Sequence, residues 1–164
     1  MTDTLRVLPE PPPRPAMAAG LTFTSGWTDT NAGAVYAILA DHDPLGEGDT
    51  GLRDVPDDAR LVVVAWTDGE PVAFLAGRKL AGGLALCSFF RGLQQWHGKY
   101  RVGLALWSQW LALMREHAIR TVVIGIDQAD PPDYRRRVER FARLAGFVPY
   151  AEDPRTTWHR LEVA

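Results

Sequence analysis

The sequence predicts an α/β domain: one mixed, twisted sheet of about seven strands with helices on both faces. Leu61–Trp66 and Val72–Ala76 are apolar runs flanking Asp68-Gly69, a strong signal for a two-residue hairpin, so the first half of the chain is antiparallel. Further on, a strand-like run, a helical stretch and a second strand-like run, Thr121–Ile126, follow one another. That order implies a right-handed crossover and a locally parallel pair. The length of 164 residues, with 46% hydrophobic content, suits one domain with a real core.

The elements follow in order. Residues 1–20 are expected to form an irregular proline-rich arm, with the domain spanning 21–164, because Pro11-Pro12-Pro13 and Pro15 remove backbone donors and fix φ. Leu21–Ser25 alternates and reads as a strand. Asp29 or Thr30 can cap a helix to about Ala40, with Val35, Ile38 and Leu39 on its apolar side. Asp41–Pro56 is a polar, glycine-containing loop of the length that often forms lids or binding loops. After the Asp68-Gly69 hairpin, Ala81-Gly82-Gly83 makes a second turn into Leu84–Phe90, a strand that could run on to Trp96 with Gly92 as a bulge. A helix from about Val102 to His117 places Leu106, Trp110, Leu113 and Met114 on one face. Thr121–Ile126 ends at Asp127. Asp130-Pro131 offers an N-cap and an N1 proline for a helix that Gly146 stops, with Val138, Phe141, Ala142 and Ala145 as its core stripe. Two strands, about Phe147–Ala151 and Thr157–Val163, close the chain.

Composition excludes several classes. A net charge of −2 and a pI near 6.1 argue against general nucleic-acid binding. Cys87 is the only cysteine, which rules out an intramolecular disulfide and cysteine-based zinc frameworks. Asp41-His42-Asp43 has ligand-type residues but no second cluster at metal spacing. No apolar run reaches the ~18 residues of a membrane span, and the prolines interrupt any signal-peptide core, so a cytoplasmic location is expected. Arg135-Arg136-Arg137, Arg140 and Arg143 lie mostly off the apolar stripe of their helix and read as a solvated face.

The most informative stretch runs from Pro71 to Arg115, which contains no Asp or Glu and six basic side chains. At its centre, Gly98-Lys99-Tyr100-Arg101-Val102-Gly103-Leu104-Ala105 joins strand to helix. A helix start presents unpaired N–H groups and the positive end of the macrodipole, and small residues let an anion approach the backbone. Phosphate binding is one reading of this turn; a tight connection with small residues for packing is the other.

The element order, this glycine turn after the fourth strand and the late Ala145-Gly146-Phe147 together resemble the GNAT N-acetyltransferase superfamily over roughly Leu21 to Val163. His97-Gly98-Lys99-Tyr100-Arg101 is similar to the lead into the family's cofactor loop, particularly in GNAT-like proteins of bacteriophages. Arg143-Leu144-Ala145-Gly146-Phe147 resembles the end of the family's last helix. The resemblance implies acetyl-CoA as cofactor, its pyrophosphate held by a Q/R-x-x-G-x-G/A loop and its pantetheine between splayed fourth and fifth strands. Gly103 and Ala105 match the small positions, and Arg101, Val102 and Leu104 supply neighbouring amides. Tyr100 stands where the family has Gln or Arg, and Ala142 where the family has its catalytic tyrosine. No acidic residue lies between Glu70 and Glu116, so none is on the fourth strand. His97 as base and Tyr100 or Tyr134 as acid are the substitute candidates.

Two function classes follow. The first is acyl-CoA-dependent N-acyltransfer to an amine that enters against the acidic Asp41–Asp58 loop, whose charge suits a cationic acceptor. The second is a fold that has lost catalysis and serves binding or structure, for example in a phage particle, with the N-terminal arm docking on another chain. Trp107 and Trp110 read as core, and Cys87 as a buried strand residue without a partner base.

Overall fold

A computed structural model describes residues 20–42, 55–92 and 102–164; for His42 and for 88–92 it describes the backbone alone. Among these residues the order is β1 (Leu21–Ser25), α1 (Asp29–His42), a 3₁₀ turn (Asp57–Ala59), β2 (Arg60–Thr67), β3 (Glu70–Leu80), β4 (Leu84–Gly92), α2 (Val102–Glu116), β5 (Thr121–Asp127), α3 (Pro132–Ala145), β6 (Val148–Glu152) and β7 (Thr156–Glu162). The strands form one seven-stranded sheet in the order β1-β2-β3-β4-β5-β7-β6. Every pairing is antiparallel except β4 with β5. The expected α/β sheet is therefore present. The expected arm (1–19), most of the acidic loop (43–54) and the lead into α2 (93–101) lie outside the described residues.

Local chemistry accounts for the turns. Asp68 and Gly69 both take positive φ, 50° and 77°, the geometry that matches the twist of two antiparallel strands. Gly146 ends α3 in the left-handed region at φ 92°, and its N–H reaches back to the last turn of the helix. The α3 cap differs from expectation. Pro131, not Asp130, is the N-cap residue, no side chain caps the helix, and the N1 proline is Pro132. With two prolines in sequence, the second can use the free N1 site where no N–H is needed, which moves the start one residue on.

Alternation along β2 splits the core into two faces. Val62 and Val64 pack with Phe74, Ala76 and the Ala34/Val35/Ile38 side of α1. Leu61, Val63 and Ala65 pack on the other side with Leu106, Trp110, Leu113 and Met114 of α2 and Ala142 of α3. Helices thus cover both faces, α1 on one and α2 with α3 on the other. Trp107 and Trp110 are core residues. They stack at 5.5 Å, and Trp107 meets Phe141 at 5.4 Å and Phe147 at 5.5 Å, locking α2 to α3. Trp27 and Trp66 are half-buried against the α1 side rather than forming an open patch. The one buried polar side chain among the described residues, Asn31, accepts from the Thr24 hydroxyl (2.6 Å) and donates to the Gly26 carbonyl (2.8 Å), fastening α1 to β1.

Candidate functional site

The site begins where a ladder stops. β4 and β5 pair only at Leu84–Thr121, Ala85–Val122 and Leu86–Val123. Beyond that point β4 stays paired to β3 as far as Gly92–Ala73, and β5 stays paired to β7 as far as Asp127–Thr156. Cys87–Gly92 and Ile124–Asp127 therefore turn toward each other backbone edges that no strand of the described chain satisfies. Unpaired backbone edges are rare inside a sheet and mark a place for a ligand or for water.

A bulge sits at the mouth of this opening. Ala76 pairs with Phe89 and Gly77 with Cys87, so Ser88 is the extra residue in β4. The bulge is not at Gly92, where a strand running on to Trp96 was expected to carry it; Gly92 pairs in register with Ala73. Glycine marks a bulge only where the extra residue needs positive φ, and none of the described residues of β4 has it. The extra residue disturbs the regular ladder and redirects local N–H groups.

Helix α2 starts after this end of β4, and α3 starts after the corresponding end of β5, so both helix N-termini serve the open end of the parallel pair. That is the end at which parallel sheets bind ligands. Val102 (5% exposed) and Leu106 (0%) anchor the first turn of α2 in the core, while Leu104 is 42% exposed. Gly103 and Ala105 are half-buried, and no acidic side chain occupies the turn. Val102, Gly103, Leu104 and Ala105 are thus the first four residues of α2, whose amides have no acceptor within the helix itself. Arg101, His97 and Tyr100 lie outside the described residues. Tyr134 is half-buried on the first turn of α3, with the Arg137 guanidinium 5.9 Å from its ring centre.

Behind that turn, Arg135 Nη1 donates to Gln128 Oε1 (3.1 Å) and Gln128 Nε2 donates to Thr157 Oγ1 (2.9 Å), tying α3 to β7. Arg136, Arg137, Arg140 and Arg143 are exposed, as expected; Arg135 is the exception, half-buried. Ala142 is fully buried and packs in the α2/α3 core. Burial pushes the Cys87 thiol up to about 12, which keeps it protonated and poorly nucleophilic.

On the β5 side of the opening, Gly125 interrupts the β-branched run Thr121–Ile126. Ile124 packs into the α2/α3 core, so Gly125 and its partner Trp158 face the α1 side of the sheet. A Cβ on Gly125 would lie 2.8 Å from Trp158 Cζ3, which shows the indole lying across β5 where a side chain is missing. Trp158 Nε1 donates to Asp153 Oδ2 (3.4 Å), and Asp153 Oδ1 accepts from the Arg155 and Thr156 amides (2.8 and 2.9 Å). The Arg155 amide foremost holds the Asp153 carboxyl below its usual range, so the β6–β7 turn is tied around an anion that also braces the indole. No group of side chains capable of holding a metal ion occurs among the described residues, and no helix is long and apolar enough to cross a membrane.

Comparison with solved structures decides the fold. A Desulfovibrio desulfuricans protein described as an acetyltransferase of the GNAT family superposes with a TM-score of 0.69, covering 88% of this chain and 99% of its own, at 16% identity. The chain has the GNAT fold. An aminoglycoside 6′-N-acetyltransferase complexed with coenzyme A gives a TM-score of 0.68 at 14% identity, covering 87% of this chain and 97% of its own. The ribosomal-protein-S18-alanine N-acetyltransferase of Escherichia coli gives 0.67 at 12% identity, with 88% and 94% covered. No protein-family model and no curated protein matches the sequence. At these identities the likeness is one of architecture, and the GNAT fold says nothing by itself about the acceptor.

Proposed function

We propose that the chain is an acyl-CoA-dependent N-acyltransferase that moves an acetyl group from acetyl-CoA to an amine. The observation that carries this reading is the opening of β4 from β5 beyond Leu86 and Val123, with the Ser88 bulge at its mouth and the acid-free start of α2 beside it. The Val102–Ala105 amides, with Arg101, hold the pyrophosphate through the helix dipole and direct hydrogen bonds. The free inner edge of β4 offers backbone donors and acceptors to the amides of pantetheine, as an added strand would. Acetyl-CoA supplies an activated thioester. An N–H exposed by the Ser88 bulge polarises its carbonyl and stabilises the developing oxyanion.

The amine attacks directly: its C–N bond forms, the C–S bond breaks, and the amine proton passes to a base. His97 is the proposed base, and Tyr100 or Tyr134 the donor to the departing sulfur. A relay through Cys87 is disfavoured because its thiol stays protonated. Asp41, exposed at the end of α1, is the described start of the acidic Asp41–Asp58 loop proposed to attract a cationic acceptor, whereas Asp57 and Asp58 lead into β2 level with the closed Leu84–Leu86 ladder. The CoA-bound aminoglycoside acetyltransferase of the same fold supports the cofactor.

The test is calorimetric titration with acetyl-CoA and desulfo-CoA, beside Gly103→Trp. Gly103 is half-buried at the helix start, so an indole there covers the amides, and circular dichroism establishes that the variant is folded. Micromolar binding to the native chain, lost in the variant, is the expected result. Absence of binding by the folded native chain would sink the enzyme reading and favour the alternative, a binding or structural role such as a component of a phage particle.

A further inference from the structure

We infer that Trp158, seated over Gly125, sets the size of the acyl group that the cleft accepts and restricts it to short chains. This inference rests on the acyl-CoA reading of the β4–β5 opening. The parallel ladder ends at Leu86–Val123, and counting on from that last pair brings Ser88 level with Gly125. The bulge that would hold a thioester carbonyl therefore faces, across the opening, the one β5 position without a side chain. That space is already occupied, because the indole of Trp158 lies within contact distance of where a Cβ would stand, and the Thr156 methyl is 3.0 Å from the same point.

The other side of β5 is equally full. Ile124 and Ile126 are 8% and 2% exposed, and Ile124 belongs to the core with Leu106 and Trp107. An acyl chain that leaves the bulge toward β5 meets packed isoleucine on the α2/α3 side and indole on the α1 side. The indole is the part that can be remodelled. It is half-buried and braced from the β6–β7 turn through Asp153 rather than embedded in the core. Gly125 is the positioning residue, since any side chain there must displace the ring. Trp158 is the specificity residue, since its bulk is what a longer chain would have to replace.

The experiment measures dissociation constants for desulfo-CoA, acetyl-CoA, butyryl-CoA and octanoyl-CoA by calorimetry, on the full chain and on Trp158→Ala, Trp158→Phe and Gly125→Ala. The native chain is expected to bind acetyl-CoA at least about 10-fold tighter than octanoyl-CoA, the scale on which a fixed pocket rejects surplus methylenes. Trp158→Ala should bring the two within about 2-fold, leave desulfo-CoA affinity unchanged, and raise octanoyl-CoA affinity rather than lower acetyl-CoA affinity. Trp158→Phe, which retains an aromatic ring, should fall between, and circular dichroism with thermal melting establishes that each variant is folded. Equal native affinity for acetyl- and octanoyl-CoA, or discrimination that persists in folded Trp158→Ala and Trp158→Phe, overturns the inference while leaving the cofactor site standing. If desulfo-CoA and all three thioesters fail to bind the native chain, the acyl-CoA reading falls and this inference falls with it.

Discussion

At Leu84–Leu86, β4 and β5 are zipped in register, and the Gly83 carbonyl accepts from the amides of both Arg120 (2.7 Å) and Thr121 (3.2 Å) to pin the start of β5. From Cys87 and Ile124 onward the same two strands no longer pair with each other. Their outer neighbours hold them in both places, β3 on one side and β7 on the other, so the opening is imposed by the rest of the sheet. Glycine serves both ends by opposite routes. Gly77 makes room for the Trp110 ring and the Leu86 carbonyl, which tightens the closed end. Gly125 admits the Trp158 ring at the open end. An opening is thus built into a continuous sheet by interrupting one ladder while its neighbours stay intact.

Breaking the closed end should have the largest effect. Trp110 is fully buried and donates from Nε1 to the Leu61 carbonyl at 3.0 Å. Trp110→Ala is expected to cost about 3–5 kcal/mol of stability in urea unfolding, through lost burial and a cavity under the β3–β4 ladder. A loss below about 1 kcal/mol would show that the closed end does not depend on this ring.

Next in size is the alkaline limb of stability, which probes Cys87, the first position of β4 beyond the closed ladder. The folded-state pKa of Cys87 is raised, so the native chain keeps a proton that the unfolded chain releases, and stability falls as pH rises. The decline should begin near pH 9 and continue toward about 12, at up to about 1.4 kcal/mol per pH unit. Cys87→Ala should flatten that slope whatever its effect at neutral pH. An unchanged slope would place the thiol in water.

The smallest effect belongs to the open end. The Asp153 carboxyl is held below its usual range, so its contribution is present above the ordinary carboxylate pKa and is lost on acidification through the lower folded value. Asp153→Asn is expected to lower the melting temperature slightly at neutral pH and not at all in strong acid, while loosening Trp158. An equal loss at both pH values would mean that the side chain acts by shape and not by charge.

Much of the fold was legible because local chemistry and tertiary demand agree in the closed half. Asp68-Gly69, the apolar run Leu61–Ala65 and the period of Leu106, Trp110, Leu113 and Met114 each specify one structure, and β1, β5 and the two later helices fall within a few residues of where pattern places them. The candidate site was legible only in part. Gly103 and Ala105 after a strand announce a helix start, and the absence of acid from Pro71 to Arg115 announces its charge. Gly125 inside a β-branched run was a visible sign of close approach, but what approaches it comes from 33 residues further along the chain. The Ser88 bulge has no side-chain signature at all.

By itself, then, the sequence determined the order and type of the elements, the two-faced core and the acid-free helix start, since these depend on hydrophobic period, turn residues and charge within a few residues of one another. Only the tertiary structure decided where β4 parts from β5, which residue of β4 is extra and which ring faces it. Those follow from the pairing of β3, β4, β5 and β7, a property of backbone register that no single strand carries.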